Sequence, residues 1–496
     1  MKNNPSCTSD MNFQECELAI LRSAVDKAEE VQSKKVVNSP QMQRMIQIVE
    51  QFLKRKKLIC YGGTAINALL PKADKFYNKE TDIADYDFFS KDPLKDAKEL
   101  ADLYYKEGFE EVEAKSGQHY GTYKVFVNFV GMADITYLHK DIYNALKQEA
   151  RPVGGILYCP PNFLRMSMYL ELSRPAGDVG RWEKVLKRLS LLNKHYPLED
   201  NSCEGAVFQR KLEDSKGNDI DAATIYENVR DTLVSEGVVF FGGYAITNYM
   251  KYMPKKISKK LQEIPDFDVL AEDAEMTALI VKENLEYEGV KKVRIVKNKP
   301  VGEIISTNYQ IIIGDNDTIA FIYEPMACHS YNVIDTGDID IRIATIDTML
   351  SLYLAFLYAG RNYYDLSRLV CMSKFLYDVQ QKNRLKQKGL LKRFSISCYG
   401  HQETVEEMRA EKTEMFEKLK NNRSSPDYEK WFLRYKPVEI KNSKSTKPKT
   451  QKSKTKPKTQ KSKPKTSKKN KKKNKKTKKA VKSGSILKQL RKTLTL

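Results

Sequence analysis

The chain has 496 residues, of which 41% are hydrophobic and 30% are charged, and its formal net charge is +22. This length suits two or three domains of ordinary size. No apolar stretch is long enough for a secretory signal or a membrane span, so the sequence predicts neither a secreted nor a membrane protein. The eight cysteines lack Cys-x-x-Cys spacing, which predicts free thiols in a reducing compartment and no zinc site.

The first predicted elements are two helices. Residues 12–37 alternate as an amphipathic helix. Ser39 and Pro40 then start a second helix, with the serine as N-cap and the proline at the first helical position. Residues 1–39 are therefore interpreted as an N-terminal helical region.

A short strand, a glycine pair and a helix follow. Leu58–Tyr61 is apolar and rich in β-branched or aromatic residues, which predicts a buried strand. Gly62 and Gly63 allow a sharp turn and close approach of the backbone to a ligand. The next helix would direct its N-terminal N–H groups at a phosphate, and Thr64 adds a hydroxyl. Gly62, Gly63 and Thr64 are the predicted nucleotide-binding residues.

Two aspartates, Asp85 and Asp87, flank Tyr86 at the next predicted strand. Residues two apart on a strand share one face, roughly 6.6 Å from each other, so both carboxylates could reach two ions about 3.5–4 Å apart. Asp134 lies among apolar neighbours in a later strand, where a lone charge is costly unless it is paired or metal-bound. We predict that Asp85, Asp87 and Asp134 are catalytic and bind two Mg²⁺ or Mn²⁺ ions, which prefer oxygen ligands. A solvated strand end remains the alternative for an isolated Asp-x-Asp.

Two helices are predicted after this sheet, at residues 162–172 and 180–188. Apolar residues recur in both at three- and four-residue spacing. They contain Arg165, Arg181 and Lys184, which either reach a triphosphate or are ordinary surface charges of amphipathic helices.

The pattern returns about 180 residues later, as Val238–Thr247 followed by Asp266-Phe-Asp268. A repeat of this length indicates two copies of one domain. Aligning the third strands sets Ala320 against Asp134, with Asp315 or Asp317 as a substitute if the alignment slips. Tyr244 replaces Thr64 and is too bulky for a close triphosphate contact. We therefore predict an active first copy and an inactive second copy that serves as scaffold or RNA platform.

The positive charge is concentrated in residues 440–496, which contain 24 Lys and Arg and no acidic residue. The rest of the chain has 62 basic and 64 acidic residues, a net charge of −2. With few apolar residues, this tail is predicted to be disordered. It is interpreted either as a tether for RNA phosphates or as a solubility or nuclear-import segment.

The glycine pair, the helix, the Asp-x-Asp strand and the later aspartate resemble the nucleotidyltransferase superfamily. Within it, Tyr61–Asn67, Asp82–Phe89 and the duplicated second half resemble the poly(A) polymerase catalytic subunit of large nucleo-cytoplasmic DNA viruses, the poxvirus-type family. The 21 residues between Gly63 and Asp85 exceed the superfamily's usual spacing. The second copy has 22 residues at the same place, so the longer insert is common to both copies.

The resemblance implies an α/β (α+β) fold of two tandem nucleotidyltransferase-like units. Each would have a small mixed sheet with packed helices and a helical extension. The expected division is residues 40–200 for the catalytic unit, 201–439 for the inactive one and 440–496 for the disordered tail.

The resemblance also implies template-independent addition of AMP from ATP to mRNA 3′ ends by a two-metal mechanism. The expected partners are ATP and an RNA 3′ end, and a homodimer or a processivity partner is compatible with them. The expected location is the host cytoplasm (viral factory) and the virion. The residues themselves leave open uridylyl or CCA addition, adenylylation of a protein or small molecule, and a catalytically dead RNA-binding scaffold.

Overall fold

The computed structural model describes residues 7–8, 10–78, 80–83, 85–198, 203, 220–252, 266–337, 339–383 and 385–438. The chain up to Val438 forms one compact unit. The predicted disordered tail, residues 440–496, lies outside the described residues.

The N-terminal region is helical, as predicted, with α1 at Phe13–Val37 and α2 at Pro40–Lys56. Ser39 caps α2 by accepting a hydrogen bond from the Met42 N–H. Buried residues of α2 pack into the first sheet's core, because apolar side chains recur along one helix face. They are Met42, Met45, Ile48, Val49, Phe52 and Leu53.

The first sheet has eight strands in the order β16-β3-β4-β5-β2-β1-β7-β6. Its strands are β1 (Ile59–Cys60), β2 (Tyr86–Ser90), β3 (Val112–Ser116), β4 (Thr122–Val127), β5 (Val130–Tyr137), β6 (Arg151–Val153), β7 (Ile156–Tyr158) and β16 (Arg434–Tyr435). Its helices are α3 (Gly62–Leu69), α4 (Pro93–Lys106), α5 (Lys140–Glu149), α6 (Pro161–Leu172) and α7 (Trp182–His195). The sheet is mixed: β2 is parallel to β5 and β1 to β7, whereas β1 and β2 are antiparallel.

The second sheet also has eight strands, in the order β10-β11-β12-β9-β8-β14-β13-β15. Its strands are β8 (Val239–Phe240), β9 (Phe267–Leu270), β10 (Arg294–Asn298), β11 (Asn308–Ile313), β12 (Asp317–Tyr323), β13 (His329–Asp335), β14 (Asp340–Ala344) and β15 (Cys398–Tyr399). The described helices of this half are α8 (Ala222–Ser235), α9 (Gly243–Thr247), α10 (Ala274–Tyr287), α11 (Ile346–Phe356) and α12 (Leu366–Asn383). The order β11-β12-β9-β8-β14 repeats β4-β5-β2-β1-β7 of the first sheet, with the same parallel pairs. The predicted mixed α/β fold with two sheets is confirmed.

The last described elements return to the first sheet. We call residues 405–435 the C-terminal arm; it consists of α13 (Val405–Leu419), α14 (Pro426–Phe432) and β16. Strand β16 pairs antiparallel with β3, and Leu433 is buried beside it. The Tyr123 hydroxyl donates to the Lys430 carbonyl at 2.8 Å. This arm falls in the predicted 201–439 segment, yet it packs on the sheet of the first half.

The two halves share one continuous hydrophobic core. Helix α6 packs along α11, and the Ser330 N–H donates to the Ser173 carbonyl at 2.8 Å. Phe163 meets Tyr358 edge-on with ring centroids 5.3 Å apart. The second half therefore supports the first through a packed interface. None of the described helices combines the length and apolarity needed to cross a membrane.

The prediction of free thiols is wrong for six of the eight cysteines. Three disulfides join Cys7 to Cys16, Cys203 to Cys371 and Cys328 to Cys398, with Cα–Cα distances of 5.1, 5.3 and 5.1 Å. Only Cys60 and Cys159 are free among the described cysteines, and both are buried. Two of the pairs join residues 168 and 70 positions apart, so local spacing in the sequence gives no sign of them.

Candidate active site

The turn at the glycine pair presses against an aspartate. Gly62 has φ +69, and a Cβ there would lie 2.7 Å from the Asp87 Oδ2 atom. The Tyr61 N–H donates to the Asp87 carbonyl at 2.9 Å, which fixes the turn against β2. Helix α3 begins at Gly62, so its free N–H groups lie beside the carboxylate, where the helix dipole favours an anion.

The three predicted catalytic aspartates come together. Asp87 on β2 lies directly opposite Asp134 on the parallel strand β5, and Asp85 immediately precedes β2. All three line one cavity of about 780 Å³. Gly62, Gly63 and Thr64 line the same cavity. The structure therefore brings all six predicted site residues to one place.

In the absence of a metal ion, burial and mutual repulsion disfavour the ionised state of Asp85 and Asp87. Burial raises the pKa of Asp87 to about 7, and the neighbouring carboxylates of Asp85 and Asp134 add to the effect. The pKa of Asp85 is also raised, by burial first and then by the charge of Asp134. Like charges held close together disfavour the ionised state of each. Lys124, opposite Asp134 on β4, forms an ion pair with Asp134.

The carboxylate oxygens are of the type that binds divalent cations, but their present arrangement does not form a metal site. No group of three His, Cys, Asp or Glu within the described ranges could hold a metal ion in its present arrangement. Asp134 is engaged by Lys124. Carboxylate oxygens are the ligands that Mg²⁺ and Mn²⁺ prefer, and a bound metal ion would offset both the burial and the like charges that raise the pKa of Asp87.

Thr64 has a more local contact than the sequence indicated. Its hydroxyl donates to the Asp85 carbonyl at 2.7 Å. This bond ties the first turn of α3 to the residue before β2. Thr64 thus helps to hold Asp85 beside the glycine turn.

Helix α7 supplies a basic wall. Arg181, at its N-terminus, lines the cavity together with Lys184 and Arg188. Arg188 was missed in the sequence, although its four-residue spacing from Lys184 places both on one helix face. An Arg188 nitrogen would lie 2.8 Å from a Cβ at Gly63, and Arg188 donates to the Tyr77 hydroxyl at 2.8 Å.

Arg165 has a different environment from the other candidate cations. Its side chain is buried and donates to the Asn193 side chain at 2.7 Å and to the Tyr196 carbonyl. It does not line the cavity. Neither alternative given for Arg165, contact with a triphosphate or an ordinary surface charge, is therefore correct, because its buried side chain joins α6 to the end of α7.

The wall beyond the aspartates comes from distant parts of the chain. Tyr120 and His119 belong to the β3–β4 turn, Glu303 to the second half, and Glu411 and Trp431 to the C-terminal arm. No pattern in the sequence indicated these residues, because they converge only through the packing of the arm and of the second half on the first sheet.

Among the described residues, the second copy of the motif has no comparable cavity. Asp266 is buried and accepts hydrogen bonds from Arg368 at 2.9 and 3.2 Å. Tyr244 lies against Phe240, with ring centroids 4.7 Å apart. The cavity beside Asp266 has a volume of only about 10 Å³.

The counterpart of Asp134 in the second copy is the apolar residue Phe321, one position after the predicted Ala320. Phe321 is opposite Asp268 in the β9–β12 register, as Asp134 is opposite Asp87. Ala320, the predicted equivalent, is opposite Phe267. The Asp315 side chain is 94% exposed and pairs with Lys292, so it does not replace the missing carboxylate.

Together, the mixed sheet, the glycine turn and the paired aspartates define a nucleotidyltransferase-type fold. A sequence model of the family described as "Poly(A) polymerase catalytic subunit" matches residues 47–178. The resemblance to viral poly(A) polymerase catalytic subunits is confirmed over this segment, which contains all six predicted site residues.

Two viral relatives each match about a third of the chain. One is the "Putative poly(A) polymerase catalytic subunit" of Acanthamoeba polyphaga mimivirus, 31% identical over 185 residues, which are 36% of this chain and 31% of the relative. The other has the same description, from African swine fever virus (isolate Pig/Kenya/KEN-50/1950), and is 33% identical over 35% of this chain and 38% of the relative. The match thus spans about a third of the length of these relatives.

The crystal structure of the Megavirus polyadenylate synthase has a similar fold. The TM-score is 0.68 at 20% sequence identity, and the match covers 88% of each chain. At this identity the likeness concerns the fold alone, which extends over both halves.

Proposed function

We propose that the chain is a polynucleotide adenylyltransferase that adds AMP from ATP to the 3′ ends of mRNA without a template. The RNA 3′-hydroxyl attacks the α-phosphorus of ATP, a phosphodiester bond forms and pyrophosphate leaves. The observation that carries this proposal is the meeting of Asp85, Asp87 and Asp134 with the Gly62–Gly63 turn in one cavity. The viral relatives described as poly(A) polymerase catalytic subunits support the choice of adenine and RNA.

The position of each group of residues in the cavity assigns it a separate role in the reaction. Gly62 and Gly63 present the N-terminus of α3 to the triphosphate, and the cations of α7 neutralise its charge from the facing wall. Asp85, Asp87 and Asp134 would hold two Mg²⁺ or Mn²⁺ ions, with Asp134 on the side of the attacking hydroxyl. Bound ions would activate this hydroxyl and stabilise the leaving pyrophosphate. To bind a metal ion, Asp134 would have to leave its ion pair with Lys124.

We further infer that the second copy has no catalytic role. Arg368 supplies to Asp266 the positive charge that a metal ion would otherwise supply. Tyr244 and Phe321 stand at the positions of Thr64 and Asp134. Its function is then to support the catalytic half. The viral relatives suggest action in the infected cell, with the host cytoplasm and the virion as the proposed locations.

The direct test is incubation of the full chain with a labelled RNA oligonucleotide, Mg²⁺ and each nucleoside triphosphate separately. We expect lengthening of the RNA with ATP and little with the other three. Lengthening mainly with UTP or CTP would favour the uridylyl or CCA alternative. No incorporation of any nucleotide into RNA would contradict the proposal.

A further inference from the structure

The aromatic residues beyond the aspartates form a pair that the reaction described above does not use. The rings of Tyr120 and Trp431 lie 4.4 Å apart, centroid to centroid, with 38° between their planes. Tyr120 is 51% exposed and Trp431 is half-buried, and both line the catalytic cavity. Large aromatic faces open to a cavity of this kind can stack on a planar ligand.

The strand order places this pair on a definite side of the aspartates. Gly62 follows β1, on one side of β2, whereas Asp134 is on β5, on the other side. Strands β4, β3 and β16 continue outward from β5. Tyr120 lies in the turn between β3 and β4, and Trp431 comes just before β16. The pair is therefore beyond Asp134, away from the glycine turn.

The charges at that end of the cavity suit a base better than a phosphate. Glu303, Glu403 and Glu411 line the cavity, and Glu303 is close enough to His119, the neighbour of Tyr120, to feel its charge, whereas the cations that line the cavity from α7 are Arg181, Lys184 and Arg188. Carboxylates repel a phosphate, but they accept hydrogen bonds from the amino groups of bases.

We propose that Tyr120 and Trp431 form a stacking platform for the base at the 3′ end of the RNA. This inference rests on the proposed function, which assigns the triphosphate to the Gly62 end and the attacking hydroxyl to the Asp134 side. The nucleotide that extends beyond Asp134 is then the terminal residue of the acceptor. Stacking on aromatic side chains tolerates any base, as an enzyme that begins on one sequence and continues on its own product requires.

The platform also gives the C-terminal arm a role in substrate binding. Trp431 reaches the cavity because β16 pairs with β3 and Lys430 is held by Tyr123. The acceptor site is then complete only when the arm is in place.

Equilibrium binding tests the platform without relying on catalysis. Two labelled RNA oligonucleotides are compared, one intact and one with an abasic 3′-terminal nucleotide, in EDTA and without ATP. Loss of the base should weaken binding to the wild-type chain by roughly 5- to 100-fold, the range expected for loss of one stacked base. W431A should bind both RNAs with similar affinity, and W431F should recover most of the preference. F432L is the matched control, because Phe432 packs on Phe416 and Tyr428 within the arm and leucine keeps an apolar side chain at that position. It should keep the full preference.

An equal preference for the terminal base in W431A and in the wild type would overturn the platform. In the lengthening assay, W431A should raise the KM for RNA and leave the KM for ATP within about twofold, a change of roughly 0.4 kcal/mol. A raised KM for ATP with an unchanged KM for RNA would assign the pair to the incoming base and overturn the proposal. If the wild type lengthens no RNA at all, the proposed function fails, whereas the binding comparison still decides the platform.

Discussion

At the scale of single residues, the two copies of the Asp-x-Asp motif have opposite electrostatics. In the first copy, burial and two neighbouring carboxylates raise the pKa of Asp87 to about 7. In the second, the buried carboxylate of Asp266 is paired with Arg368 at 2.9 Å. The positive charges near Asp87 in the first copy do not offset its burial and its like-charged neighbours. In the second copy, Arg368 supplies the counter-charge for Asp266. This contrast predicts opposite effects of the same substitution.

D87N should stabilise the metal-free protein at pH 7.5, and D266N should destabilise it. Because the folded-state pKa of Asp87 lies above the unfolded value, its charge costs stability increasingly as pH rises from about 4 to 7. D87N should therefore gain roughly 1–3 kcal/mol at pH 7.5 and nothing near pH 4. D266N should lose about 3–5 kcal/mol, because it removes the buried carboxylate that forms an ion pair with Arg368. Thermal unfolding in EDTA, followed by circular dichroism, measures both.

The control for D266N is the double variant D266N/R368M. Removing both buried charges should recover much of the lost stability, since a buried ion pair is often no better than an apolar pair. Equal destabilisation by D87N and D266N would contradict the assigned contrast between the copies.

At the scale of secondary-structure elements, the sequence predicted the parts that depend on local patterns. Strand β1, helix α3, strand β2 and strand β5 follow from apolar runs, the glycine pair and alternation. The repeat of this pattern revealed the second sheet. These local signals also located the six site residues that meet in the cavity.

The parts that escaped prediction depend on tertiary contacts. Strand β16 has two residues, too few for any periodic signal, and it exists through its pairing with β3. The sequence alignment assigned Ala320, instead of Phe321, as the counterpart of Asp134. The error of one residue arose because an alignment does not show the register between neighbouring strands. A shift of one residue moves a side chain to the other face of the sheet, so only the observed pairing identifies the counterpart.

The C-terminal arm should detach when its buried anchor is removed. Leu433 is 3% exposed, and its carbonyl accepts from the Ser116 N–H at 3.0 Å. L433A should weaken docking of the arm by about 2–5 kcal/mol, the usual cost of a truncated buried leucine. Limited trypsin digestion should then cut between Lys420 and Lys436 much faster than in the wild type. A lower global unfolding temperature without faster local cleavage would contradict this account.

At the scale of the whole molecule, the net positive charge and the candidate active site lie in different parts of the chain. Residues 1–439 have a net charge of −2, whereas residues 440–496 contain 24 Lys and Arg and no acidic residue, so the whole net positive charge of the chain comes from the tail. General attraction to RNA must then come from the tail or from local basic walls such as that of α7.

Deleting residues 440–496 should weaken binding of RNA of any sequence while the metal chemistry remains. Each lost phosphate contact on a single strand should reduce the slope of log K against log salt by about 0.7. Binding measured between low and moderate salt gives this slope. Short RNA extensions should accumulate at moderate salt if the tail limits release of RNA. An unchanged slope would assign the tail to solubility or nuclear import.

The rate of ATP incorporation into RNA by D85N and D87N tests the assignment of the active site to the first copy. We expect a loss of roughly a thousandfold or more in each variant, about 4 kcal/mol of transition-state stabilisation. D268N, the same change in the second copy, should stay within about tenfold of the wild type, which corresponds to roughly 1.4 kcal/mol. Circular dichroism confirms that each variant is folded. Near-wild-type incorporation by folded D85N or D87N, or a thousandfold loss in folded D268N, would contradict the assignment of the active site to the first copy.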